Sequence, residues 1–146
     1  KRQYVAISDQ AWTGNTQKIV DLPIGRDPAD RLRMAVVDLA KNSGKTAKTH
    51  FRVMSQSEQG SLVCCILETG RTHQIRVHMA ALKLALVGDP TYGGSSHPLM
   101  PRQALHADLL SFDHPVTGQP LAFQSPLPAD IQSLLQAWSL SYNEKS

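Results

Sequence analysis

From Leu62 to Leu67 every position is apolar, with Leu62, Cys64 and Ile66 on one strand face and Val63, Cys65 and Leu67 on the other. A strand that is apolar on both faces is central and buried. Arg2 to Ser8 alternates in the same strand-like way. Thr46 to Ser55 sets Ala47, Thr49, Phe51 and Val53 against Lys48, His50, Arg52 and Met54, and Gln56–Gly60 supplies the turn of a hairpin into the buried strand. Leu105 to Phe112 is another strand, and His114-Pro115 with Gly118-Gln119-Pro120 marks a second hairpin turn. A short extended run, Ile19 to Ile24, ends at Gly25, and Arg26 to Arg33 reads as a charged loop. Helical spacing occurs twice. His73 to Leu84 puts Ile75, Met79 and Leu82 on one face, and Pro128 to Trp138 does the same with Ile131, Leu134, Leu135 and Trp138. The tail is expected to fray from Ser139. Hairpins dominate this order, so the expected fold class is α+β: a mixed, antiparallel-rich sheet with few helices.

Charge adds a direction to that picture. The net charge is +3, but residues 1–40 carry +1, residues 41–83 carry +5 and residues 84–146 carry −3. The basic middle holds Lys41, Lys45, Lys48, Arg52, Arg71, Arg76 and Lys83, a footprint suited to phosphates. The two cysteines, Cys64 and Cys65, are adjacent and point to opposite faces, which excludes a disulfide between them. They read as buried thiols of a cytoplasmic protein. No apolar run has membrane-spanning length and no signal-peptide pattern occurs, so no membrane partner is expected.

Three other chemistries fail on spacing. Gly44-Lys45-Thr46 imitates the end of a phosphate-binding P-loop, but Leu39 stands where the first glycine belongs and a strand follows. His73 and His78 would point about 140° apart on a helix and make no zinc pair. No glycine-x-serine-x-glycine elbow is present for a hydrolase.

The richest segment is Thr69-Gly70-Arg71-Thr72-His73-Gln74-Ile75-Arg76-Val77-His78, between the buried strand and the first helix. Gly70 breaks the strand and Thr72 is the expected helix cap. Arg76 falls in the first helical turn, away from the main apolar stripe. The helix dipole disfavours a cation there by up to about 1 kcal/mol. That conflict between placement and local preference predicts a tertiary partner for Arg76.

This segment, with Val87-Gly88-Asp89-Pro90-Thr91-Tyr92-Gly93, resembles the signature of the RluA-type pseudouridine synthases. Lys1-Arg2-Gln3-Tyr4-Val5-Ala6 resembles that family's lysine-x-x-tyrosine strand. Gly44-Lys45-Thr46-Ala47-Lys48-Thr49 resembles its glycine-lysine-x-alanine-x-threonine strand. Leu105-His106-Ala107 and Pro126-Leu127-Pro128 resemble its C-terminal landmarks.

The resemblance implies isomerisation of uridine in RNA: the bond from ribose C1′ to uracil N1 breaks, the base turns, and C1′ is rejoined to C5. It implies no metal and no cofactor. Tyr4 matches the active-site tyrosine, whose ring can stack on the flipped uracil. Arg76 matches the arginine that pairs with the catalytic aspartate; a carboxylate in a water-poor pocket needs such a partner to stay ionised. Arg71, Thr72 and His73, with Lys45 and Lys48, are the expected pocket-shaping and RNA-binding residues. The family's histidine-arginine-leucine-aspartate motif is absent from these residues. Residues 1–146 are therefore expected to be the C-terminal part of one catalytic domain, incomplete without an upstream half that carries the nucleophile. Ribosomal RNA of the large subunit is the leading target and transfer RNA the alternative. A non-catalytic RNA-binding relative is the competing reading.

Overall fold

The computed structural model describes residues 1–142. In chain order it contains β1 (Arg2–Ser8), β2 (Gln17–Asp21), β3 (Ile24–Arg26), β4 (Met34–Val36), β5 (Lys48–Gln56), β6 (Ser61–Leu67), α1 (Gln74–Ala81), a 3-10 turn (Pro90–Tyr92), β7 (Leu105–Asp113), β8 (Pro120–Gln124) and α2 (Ala129–Ala137). Six strands form one sheet in the order β2–β5–β6–β1–β7–β8, and β3 pairs with β4 separately. Every pairing of these strands is antiparallel.

The doubly apolar strand is central, as its pattern requires. β6 lies between β5 and β1, and Leu62, Val63, Cys64 and Cys65 are all buried. On one side Val5, Ile7 and Leu62 pack against Ile131, Leu134, Leu135 and Trp138 from the α2 segment. On the other, Ala6, Phe51, Val63 and Cys65 pack with Ile75 and Met79 of α1. The sheet therefore has a helix on each face, which is why both faces of its central strand are apolar.

Three local expectations need correction. The run Ile19 to Ile24 is not one strand. It splits at Leu22-Pro23, because Pro23 has no N–H for the ladder and the Leu22 carbonyl accepts from His78 Nε2 at 2.9 Å. The charged 27–33 segment is a loop, as expected, and it closes a small β3–β4 hairpin. The first helix stops at Ala81, not Leu84: Lys83 is left-handed (φ 61°), Leu84 N–H donates to Met79 O at 2.9 Å, and Lys83 N–H donates to Ala80 O at 2.9 Å. That is a Schellman ending with lysine where glycine is usual. Residues 139–142 are packed rather than frayed. Leu140 is buried, and the Tyr142 hydroxyl donates to the buried carboxylate of Asp108 at 2.8 Å. The rest of the tail lies outside the described residues.

Ile24, Ala47 and Val77 form a third apolar cluster, with Met34 and Tyr92 against it. It clamps the β3–β4 hairpin to the side of α1.

Candidate active site

β6 ends at Leu67, and the chain turns through 68–73 before α1 begins. Thr72 does not cap the helix. His73 is the cap residue, in the left-handed region (φ 57°), with no side-chain capping bond. The turn is held instead by Gln74, whose side chain is buried. Its Oε1 accepts from the Arg71 N–H (3.0 Å) and the Thr69 hydroxyl (2.7 Å). Its Nε2 donates to Lys48 O (3.0 Å) and Thr49 Oγ1 (2.9 Å). Thr49 in turn hydrogen-bonds to His78 Nδ1 at 2.8 Å. Since His78 Nε2 donates to Leu22 O, Nδ1 is the acceptor of a neutral imidazole. Burial pushes the His78 pKa below its ordinary value, which suits that neutral form. The Arg71 turn is thus fastened to β5 and to the β2–β3 connection by buried hydrogen bonds.

Arg76 does have a tertiary partner, and it lies in this chain. Nε donates to Asp89 Oδ2 at 2.9 Å and Nη2 to Asp89 Oδ1 at 2.8 Å. The Asp89 side chain is only 1% exposed and that of Arg76 14%. This bidentate bond raises the Arg76 pKa, against the opposing effect of its own burial. The guanidinium also lies over the Tyr92 ring, 5.0 Å from its centroid. Tyr92 OH accepts from the Met34 N–H (3.0 Å) and lies 2.8 Å from His73 Nδ1. The direction of the Tyr92–His73 hydrogen bond follows the tautomer of the imidazole. Burial and the neighbouring Arg76 charge lower the His73 pKa.

Tyr4 leaves β1 on the same face as α1. Tyr4, Arg71, His73 and Arg76 line one concavity of about 300 Å³ whose floor is Leu67, Ile75 and Leu105. The site therefore joins one aromatic ring, a fixed guanidinium and an apolar floor. That combination can take a flat, uncharged base and hold an anion beside it.

The remaining expected residues divide. Thr72 and Lys45 lie with Arg71 along an adjoining groove. Lys48 is set apart, 3.5 Å from Glu68 on the sheet. Glu68 also pairs closely with His50. Two contributors went unassigned in the sequence, Asp89 and Tyr92. Their signal was present in the Val87–Gly93 piece, but only the folded chain brings it under α1. Gln103 completes the pocket wall and carries no sequence signal.

Residues 1–81 match the RNA pseudouridylate synthase family. The chain is 47% identical over 147 residues to a ribosomal large subunit pseudouridine synthase D of Nitrosomonas europaea, covering 94% of this chain and 40% of that protein. It is 45% identical over 150 residues to the protein of the same name in Xanthomonas campestris, covering 93% of this chain and 43% of that one. It thus spans about two fifths of the length of these relatives. Among solved structures it is similar to human RNA pseudouridylate synthase domain containing 1, with a TM-score of 0.77 and 28% identity over 96% of this chain and 59% of that one. Human RNA pseudouridylate synthase domain containing 4 shares the fold at a TM-score of 0.71 and 22% identity, over 97% of this chain and 63% of that one. With more than half of its residues inside the family match, the chain belongs to the RNA pseudouridylate synthase family.

Proposed function

We propose that this chain supplies the tyrosine-and-arginine half of an active site that isomerises uridine to pseudouridine in RNA. The observation that carries the proposal is that Tyr4 and Arg76 line one small pocket with an apolar floor. Uracil is flat and uncharged. The Tyr4 ring offers a stacking surface, worth roughly 1–3 kcal/mol per base. Arg76 carries a permanent charge whose orientation Asp89 fixes. Its Nε–Nη2 edge is occupied, and Nη1 makes no hydrogen bond among the described residues. That end is available to hold a second carboxylate ionised. The second carboxylate is the nucleophilic aspartate, contributed from an upstream half of the same catalytic domain. The C1′–N1 bond breaks, C1′ joins C5, the C5 proton is lost and N1 gains one. Nothing is oxidised or reduced.

The names of the bacterial relatives favour large-subunit ribosomal RNA as the substrate over transfer RNA, and hence a cytoplasmic place of work. No helix among the described residues is long and apolar enough to cross a membrane.

Release of tritium from RNA labelled at uridine C5 tests the proposal in the full-length protein. Release from ribosomal RNA, abolished by Arg76→Ala, is expected. RNA binding with no release from either ribosomal or transfer RNA would replace the enzyme with a non-catalytic RNA binder.

A further inference from the structure

Beside the base pocket lies a second concavity of about 510 Å³, between the tip of β3, the 43–45 segment and the 70–72 turn. Its walls are backbone held at close range. Ile24 and Lys45 exchange two hydrogen bonds, each 2.9 Å. A side chain at Gly25 would overlap the Ser43 carbonyl, and one at Gly44 would meet Val37 Cγ2 at 2.7 Å and Ile24 O at 2.9 Å. Across the groove Arg71 Nε donates to Thr46 O at 2.8 Å, and the Arg71 amide is held by Gln74. The groove is therefore a formed channel.

Its charge is of one sign. Arg26, Lys45 and Arg71 line it and no carboxylate does. Four basic side chains outside the groove are held in ion pairs: Arg33 with Asp27, Lys48 with Glu68, Arg76 with Asp89 and Arg102 with Asp130. Arg26 and Lys45 are exposed and have no ion pair among the described residues. Arg71 lines both this groove and the base pocket. Two connected concavities, one for a base and one cationic, match a single strand that gives up one base and runs on past it.

We propose that the groove binds the phosphodiester backbone of the RNA strand flanking the isomerised uridine, with Arg26 and Lys45 as phosphate contacts and Arg71 at the junction. This rests on reading the neighbouring pocket as a uridine site. Arg26 and Lys45 touch no reacting atom, so their role is strand binding.

The test is the Arg26→Gln/Lys45→Gln variant of the full-length protein, compared with wild type on the same ribosomal RNA fragment across a salt series. A Lys18→Gln variant, which removes one cation outside the groove, is the control. Each phosphate contact on a single strand contributes about 0.7 to the slope of log affinity against log salt. The groove variant is expected to have a slope shallower by about 1.4 and RNA binding about tenfold weaker near 0.1 M salt. The loss should appear in KM rather than in turnover at saturating RNA. The control should keep the wild-type slope, and Arg26→Lys/Lys45→Arg should restore it. An unchanged slope in a protein that makes pseudouridine overturns the groove alone, as does an equal loss in the control. A wild-type protein that makes no pseudouridine overturns the functional reading beneath it.

Discussion

Arg76 and Asp89 meet edge to edge, through two parallel hydrogen bonds of 2.9 and 2.8 Å in a nearly closed environment. The pair explains why a cation is tolerated in the first turn of α1, where the helix dipole disfavours it. It also ties the helix to the 88–94 loop, whose Gly88 is left-handed (φ 76°) and too close to the Arg102 carbonyl to accept a side chain.

Breaking this pair should be costly in two ways. Asp89→Ala leaves a largely buried guanidinium unpaired and is expected to destabilise the fold by about 3 kcal/mol, read from urea denaturation. Asp89→Asn keeps the size but loses the second charge-assisted bond. In the full-length protein it is expected to lower turnover about 100-fold, since small misplacements of a reacting group have that effect. Wild-type turnover in Asp89→Asn would show that Arg76 needs no help to find its orientation.

Tyr4 should act through its ring. Tyr4→Phe is expected to bind RNA almost as wild type does, because the hydroxyl makes no hydrogen bond among the described residues and stacking survives. Tyr4→Ala should weaken binding about tenfold or more, from the same stacking scale. Fluorescence titration with RNA separates the two, and a Tyr4→Phe protein that no longer binds contradicts the stacking role.

Gln74 is the knot of the Arg71 turn. Gln74→Leu leaves the Thr69 and Thr49 hydroxyls and the Arg71 amide without their present partner. The expected destabilisation is about 1–3 kcal/mol. Amide exchange at Arg71 should accelerate more than exchange in β6, which hydrogen-exchange measurements resolve; uniform acceleration would mean only a general loss of stability.

His78 should make stability depend on pH. Burial holds its folded pKa below the ordinary 6.5, opposed by the Leu22 carbonyl and by Asp21. The unfolded chain therefore takes up a proton first as pH falls. Stability from this group is complete above 6.5 and is lost as pH drops below that value through the folded pKa, at up to about 1.4 kcal/mol per pH unit. His73 is displaced in the same direction. His78→Gln should flatten the dependence of unfolding free energy below pH 6.5, and an identical slope would remove His78 as a source.

Lys83 occupies a left-handed position at the end of α1. Lys83→Gly relieves the side-chain penalty there and is expected to stabilise by about 0.5–1 kcal/mol. A higher urea midpoint at unchanged slope is the readout; a lower midpoint would mean that the lysine stem contributes packing of larger value.

The strands and helices that frame the site were legible in local pattern. Leu62–Leu67 announces a central strand because both its faces are apolar, and Ile75, Met79 and Leu82 announce the stripe by which α1 meets the sheet. Tyr4 and Arg76 stood out through the motifs around them. Those signals are short-range, written in the period of one element. What Arg76 touches was not legible, because Asp89 reaches it only through the path of the 82–89 connection. Nor was the end of α1 at Ala81, since a left-handed lysine gives no warning in composition. The split at Pro23, the docking of the β3–β4 hairpin against Tyr92, and the pairing of Lys48 with Glu68 while Lys45 stays unpaired depend on contacts between distant segments. Periodicity determines which face of an element is buried. Only the folded chain decides which polar groups meet across it, because each such meeting is set by geometry that no single element contains.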